Sequence, residues 1–244
     1  MISKRILTLL SVGLAWGVIL PRAEATIVRM DVGVGSQPTM EIYLELYDLE
    51  TPATVANFLN YVENGNGTRR YDGTFLHRSI PGFVIQGGGY AYDPGLGEFG
   101  PTSAPHITDD PPVINEFDAS RSNIRGTIAM AKLGGDPDSA TSEWFFNLAD
   151  NSANLDNQNG GFTVFGRVLG SGMTTVDTIA ALPTENLGGA FTDLPLSAHT
   201  PGNPVTTSHL VTLTRVEVVD AVTPAVLDHG LTAIGDTATN TVTI

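Results

Sequence analysis

Between Met40 and Leu46 the side chains alternate, with Ile42, Leu44 and Leu46 set against Glu41, Tyr43 and Glu45. That is the period-two pattern of a strand with one buried face. Thr26–Val32 reads as its partner across the turn-rich Gly33–Pro38, and the pair predicts a half-buried hairpin. The period then changes. Thr51 offers a capping hydroxyl ahead of Pro52 at the first helical position, and Val55, Phe58, Leu59 and Val62 recur at helical spacing until Asn64-Gly65. Short apolar runs follow at Gly73–Arg78, Phe83–Gln86, Gly126–Met130, Trp144–Leu148 and Phe162–Val168, separated by clusters of Gly, Pro, Asn and Asp. Each reads as a strand. Met173–Ala181 predicts a second, short helix, and Pro183–Thr207, with four prolines, a long irregular stretch. Ser208–Val219 is a final strand whose apolar positions are Leu210, Leu213, Val216 and Val218.

Many short strands and few helices predict a mainly β domain, closed into a barrel or folded as a sandwich. The 27 glycines and 15 prolines, with only 16% charged residues, point the same way. Lys4 and Arg5 precede the apolar run Ile6–Leu20, and Ala23-Glu24-Ala25 supplies a small-x-small cleavage signal, so residues 1–25 read as an export leader. The run is shorter than the ~20 residues that span a bilayer. Residues 26–219 then form one domain, and 220–244 are a tail of small residues with little to bury. Export predicts the periplasm in a Gram-negative cell and secretion otherwise. With no cysteine, stability must come from the core. The formal charge of −14, which becomes −16 once Lys4, Arg5, Arg22 and Glu24 leave, repels phosphate backbones and anionic lipid. Neither nucleic acid nor, after leader cleavage, a membrane is an expected partner.

The densest chemistry lies in Thr74–Tyr90, TFLHRSIPGFVIQGGGY, where His77, Arg78 and Gln86 stand among the core-type residues Phe75, Phe83, Val84 and Ile85. Arginine stays charged at any working pH, and its planar fork of donors is spent on a carboxylate, a phosphate or a polarised amide. A fixed cation beside an apolar floor predicts a binding site. The five histidines show no metal spacing, and Asp156–Gly160 lacks the alternating ligands of a calcium loop. No phosphate-binding helix follows Gly87–Gly89, and no metal or cofactor is expected.

Four blocks carry a resemblance: TFLHRSIPGFVIQGG, GTIAMA (Gly126–Ala131), SATSEWFFNLADN (Ser139–Asn151) and FTVFGRV (Phe162–Val168). In this order they resemble a cyclophilin-type peptidyl-prolyl cis-trans isomerase, and the bacterial exported members in particular. The resemblance implies a closed eight-stranded antiparallel β-barrel capped by two helices, with its site on the outer face. It also implies a monomer that needs no cofactor and acts on X-Pro bonds of unfolded or flexible polypeptides. By the match, Arg78 is the catalytic donor, Phe83, Val84, Phe145 and Leu155 form the proline pocket, and Gln86 orients the arginine and touches substrate backbone. Ala131 and Lys132 fall where the family's main chain contacts peptide, Lys132 replacing an asparagine. Strand alternation sends His77 to the opposite face, in a supporting role. Glu143 stands where many relatives carry glutamine, so its carboxylate is expected to pair with Arg78. Asn154 falls where relatives carry tryptophan or phenylalanine, and Phe162 where histidine or tyrosine is frequent. The alternative is a cyclophilin-like module that holds proline segments but isomerises poorly.

Overall fold

The computed structural model describes residues 25–219, except 94, 96, 97, 101 and 103. The predicted leader, but for Ala25, and the tail 220–244 lie outside the described residues. The first hairpin is β1 (Ile27–Val34) and β2 (Met40–Leu46), followed by α1 (Pro52–Val62). Then come β3 (Thr74–Phe75), β4 (Arg78–Ile80), β5 (Val84–Gly87), β6 (Thr127–Met130) and β7 (Trp144–Asn147). A short α2 (Ser152–Leu155), β8 (Val164–Val168) and α3 (Gly172–Ala180) precede a small ribbon of β9 (Thr184–Glu185) and β10 (Leu194–Pro195), and β11 (Val211–Val219) is last. Nine strands form one antiparallel sheet in the order β3-β11-β1-β2-β8-β6-β7-β5-β4.

The two ends of that row, β3 and β4, are separated in the chain only by Leu76 and His77. The sheet therefore curls round until its edges meet in one stretch of backbone. Nine segments stand where eight strands were expected, because the strand foreseen over Gly73–Arg78 changes partner midway. Leu76 N donates to Val211 O (2.9 Å), while His77 N donates to Gln86 O (3.1 Å). Curling sorts each strand's alternating side chains into an inside and an outside. Met30, Ile42, Leu44, Ile85, Ile128, Trp144, Phe146 and Phe165 share one buried cluster, to which α1 adds Val55, Phe58, Tyr61 and Val62, and α3 adds Val176 and Ile179. Full burial of each such side chain is worth about 1.5–3 kcal/mol.

Several local expectations are corrected. Thr51 does not cap α1 with its side chain; its Oγ1 donates to Tyr47 O (3.1 Å) instead. The open amides of Ala53 and Thr54 are taken by the Glu116 carboxylate at 3.2 and 2.7 Å, a stronger acceptor for a helix N-terminus than a hydroxyl. A helical turn, α2, forms where none was foreseen. Leu213 and Val216 are an odd number of residues apart yet both buried, because a bulge lets Asp31 pair with Arg215 while Val32 pairs with Leu213. Val218, expected among the apolar positions, is half exposed. Tyr43, assigned to the polar face, is covered by Ile27 and Leu169. The stretch Pro183–Thr207 is not featureless: Phe191, Leu194, Leu196 and Val205 pack with Phe75, Phe99 and Leu210 as a second core. Its apolar residues are too sparse to show a period, and they meet only because Phe75 lies on the outside of β3.

Candidate active site

The strand registers place one row of side chains across the outer face. Arg78 faces Gln86, Gln86 faces Phe145, Phe145 faces Ala129, and Ala129 faces Val164. Their sequence neighbours Ile85, Trp144, Phe146, Ile128 and Phe165 all point into the interior cluster. One end of the row is apolar. Val84, Phe145 and Leu155 are buried together with Ala129 and Val164, and Phe83, Ala131 and Phe162 pack against them half-exposed. The Phe145 and Phe162 rings meet nearly edge-on, with centroids 5.9 Å apart. All four predicted pocket residues are thus brought together, with Phe162 added as a wall.

The other end is polar. Arg78 is about one-third exposed, with Nη1 3.4 Å from Gln86 Oε1 and Nε 3.8 Å from Asp193 Oδ2. Gln86 Nε2 donates to Glu143 Oε2 at 2.5 Å, which forces its carbonyl oxygen toward the arginine. The expected pairing of Glu143 with Arg78 is not found. The carboxylate instead faces His106 Nε2 (3.1 Å) and His77 Nε2 (3.4 Å), so it reaches the arginine only through Gln86. His77 is not sent to the opposite face either. The break at Leu76–His77 resets the alternation and leaves the ring buried against Glu143. Asp193, on the Pro183–Thr207 stretch, is the carboxylate that does approach Arg78, and Asp193 O also accepts from Ser79 N at 2.8 Å.

Burial pushes the Glu143 carboxyl up, but His77, His106 and Gln86 together outweigh it and hold its pKa at about 2. The sign of the linkage follows. A depressed folded pKa contributes stability that is complete above the ordinary 4.5 and drains away as pH falls toward 2. Denaturant unfolding at pH 4.5 and pH 2 should therefore show the wild type losing more stability than Glu143→Gln. Equal losses in the two proteins would refute this account of the carboxylate.

Backbone geometry makes room for this arrangement. A Cβ on Gly89 would lie 2.6 Å from Glu143 Oε1, and one on Gly88, at φ +84°, 2.6 Å from Ser142 O. The glycine run after β5 is thus a seat for the carboxylate and for Trp144. Behind the pocket lies a buried amide network. Asn147 Nδ2 donates to Asn123 Oδ1 (3.1 Å) and Thr127 Oγ1 (2.9 Å), and Asn147 Oδ1 accepts from Asn151 Nδ2 (2.8 Å). Asn151 Nδ2 also donates to Phe83 O (2.9 Å) and Asn123 Nδ2 to Phe162 O (2.9 Å), so the network anchors both half-exposed pocket walls. Lys132 folds its side chain back, donating to Gly161 O (2.5 Å) with Nζ 4.9 Å from the Phe162 ring centre. Ala131 N is spent on Glu143 O (2.9 Å). Asn154 is exposed on α2.

Asn147 had a signal in the sequence, a lone amide in an otherwise apolar strand, Trp144–Asn147. His106 and Asp193 had none, since both arrive from irregular segments.

Fold and site together define a curled β-barrel that carries an apolar cluster on its outer face beside a fixed cation. Residues 29–200 match the family described as cyclophilin type peptidyl-prolyl cis-trans isomerase/CLD, and the chain belongs to that family. It is 39% identical over 188 residues to peptidyl-prolyl cis-trans isomerase A of Dickeya dadantii, covering 76% of this chain and 89% of the relative. It is 39% identical over 164 residues to a peptidyl-prolyl cis-trans isomerase of Acinetobacter baylyi, covering 67% and 76%. Among solved structures, a cyclophilin type peptidyl-prolyl cis-trans isomerase of Cryptosporidium parvum superposes with a TM-score of 0.53 at 21% identity, over 80% of this chain and 98% of that one. A second structure of that protein was obtained in the presence of the dipeptide Ala-Pro.

Proposed function

We propose that this chain is a prolyl isomerase for exported polypeptides, working as a monomer in the periplasm, with Arg78 as its electrostatic catalyst and the Phe83, Val84, Phe145 and Leu155 cluster as its proline pocket. The observation that carries the reading is the cross-strand row, in which Gln86 alone stands between the arginine and Phe145 of the apolar cluster. The barrier to be lowered is the ~18–20 kcal/mol of amide resonance, and it involves no bond cleavage. X-Pro bonds have nearly balanced isomers but exchange in about tens to hundreds of seconds unaided. A pocket that grips the proline ring lets the preceding carbonyl turn. As it turns, the prolyl nitrogen pyramidalises and regains its lone pair, and a guanidinium donor aimed there binds the twisted state better than either planar one. Gln86, with its carbonyl held toward Arg78, orients that donor. Ala131 and Lys132 border the substrate path through their main chain, and the leader-like pattern of residues 1–25 in the sequence supports export.

Exchange NMR on an Ala-Pro-Phe type peptide, which needs no coupled protease, tests the reading. Cis and trans signals should broaden and exchange faster with substoichiometric protein. Binding without faster exchange would reject it in favour of the holding module, in which the pocket is retained for recognition alone.

A further inference from the structure

His106 has no counterpart among the residues assigned so far, and its surroundings are specific. The segment around it is pinned to the strand end by Ala91 N donating to Pro105 O (3.1 Å) and Ile107 N to Gly89 O (2.8 Å). The ring packs edge-on against Tyr90, with centroids 5.0 Å apart, and Tyr90 in turn packs against His77 at 4.9 Å. Both ring nitrogens face acceptors. Nδ1 lies 2.9 Å from Ile107 O and 3.4 Å from Asp109 Oδ2, and Nε2 lies 3.1 Å from Glu143 Oε1. A neutral imidazole has one N–H and can satisfy only one side. His77 differs: its Nε2 faces Glu143, while its buried Nδ1 has no hydrogen-bond partner among the described residues.

We propose that His106 is a positioning residue of the isomerase site, whose doubly protonated ring clamps Glu143 so that Gln86 and Arg78 are held in register, and whose deprotonation slackens the arginine. The inference rests on the reading of Arg78 given above. The chain of contacts is continuous: His106 Nε2 to Glu143 Oε1, Glu143 Oε2 to Gln86 Nε2, and Gln86 Oε1 to Arg78 Nη1. Charges facing the ring are Glu143 and Asp109; the Tyr90 ring packs on it, and His77 lies beyond Tyr90 and on the far side of Glu143. Burial works against the His106 proton, but the Ile107 carbonyl, Glu143 and Asp109 outweigh it and raise its pKa above the ordinary 6.5. When the proton leaves, the remaining N–H serves either Ile107 or Glu143. The carboxylate then loses the His106 cation, and the Gln86 amide it holds can turn.

The test follows kcat/KM for the same peptide by exchange NMR on the full chain, from pH 6.5 upward, for wild type and His106→Gln. Wild type should lose activity on the alkaline side by about three- to tenfold, the size of one net hydrogen bond expressed as a rate ratio. His106→Gln should lack that limb and sit low at all pH values, the loss falling on kcat rather than KM. A wild-type profile without the limb, or a variant that keeps it, overturns the proposal. Should the variant not fold, ring ¹⁵N shifts of wild type decide. Two bonded protons on His106 at pH 6.5, with the Arg78 Nε–H signal shifting as the ring titrates, support the clamp, whereas a singly protonated ring refutes it. Failure of the parent reading is separable. It would appear as equal activity of Arg78→Ala and wild type, whatever the pH profile.

Discussion

Replacing Arg78 by alanine is expected to lower kcat/KM about 100- to 1000-fold while the protein stays folded, the loss found when one preorganised donor to a developing lone pair or charge is removed. The side chain is about one-third exposed on a strand edge, and its long contacts to Gln86 and Asp193 contribute little to stability, so the fold should tolerate the change. KM should move much less than kcat, because the proline pocket lies two register steps away along the row and remains filled by the same side chains. Arg78→Lys should recover only part of the loss. A single ammonium can supply charge, but it cannot donate to the prolyl nitrogen and to Gln86 Oε1 through one rigid plane. Exchange NMR on the same peptide provides the rates, and an amide correlation spectrum confirms the fold. An alanine variant within twofold of wild type would remove Arg78 from the mechanism and leave the pocket as a recognition surface.

The second large effect is expected from Asn147→Leu, and it falls on stability first. Asn147 is fully buried and completes three hydrogen bonds. Leucine fills a similar volume but strands Asn123 Oδ1 and one proton of Asn151 Nδ2, each at a cost of about 1–3 kcal/mol for a buried group left unpaired. Thr127 Oγ1 is spared, since it still donates to Ile124 O at 2.7 Å. The midpoint of denaturant unfolding should drop by the corresponding amount with an unchanged slope. Because Asn151 and Asn123 anchor Phe83 and Phe162 by their backbone oxygens, weaker peptide binding should accompany the loss. A variant as stable as wild type would mean that water or rearranged amides replace the lost partners.

Much of this was legible beforehand because it depends on local rules. The alternation in Met40–Leu46 and the spacing of Val55, Phe58 and Val62 each report a burial pattern that a strand or helix must satisfy. The cluster of Phe83, Val84, Phe145 and Leu155 was anticipated through motif resemblance, since alternation alone says only that Phe145 and Trp144 face opposite ways, not which face is the interior. The pairing of Glu143 was misjudged. A carboxylate and an arginine close to one site suggest an ion pair, yet Gln86 stands between them and two histidines compete for the charge. His106 could not have been found from spacing, because a contact 37 residues away in the chain depends on how the segment after Gly89 folds back.

By itself the sequence determined that short strands with one buried side would dominate, that Pro52 would start a helix, and that an arginine would stand within a run of apolar strand residues. These follow from chirality, side-chain period and backbone sterics, which act over a few residues. Only the tertiary structure decided that the strand through Leu76 and His77 would break and close the sheet, that Pro183–Thr207 would bring Asp193 to Arg78, and that Glu143 would answer to His77 and His106. Those outcomes turn on which surfaces meet when the sheet curls, and burial is non-directional: it rewards any close fit and leaves the choice of partner to the geometry of the whole fold.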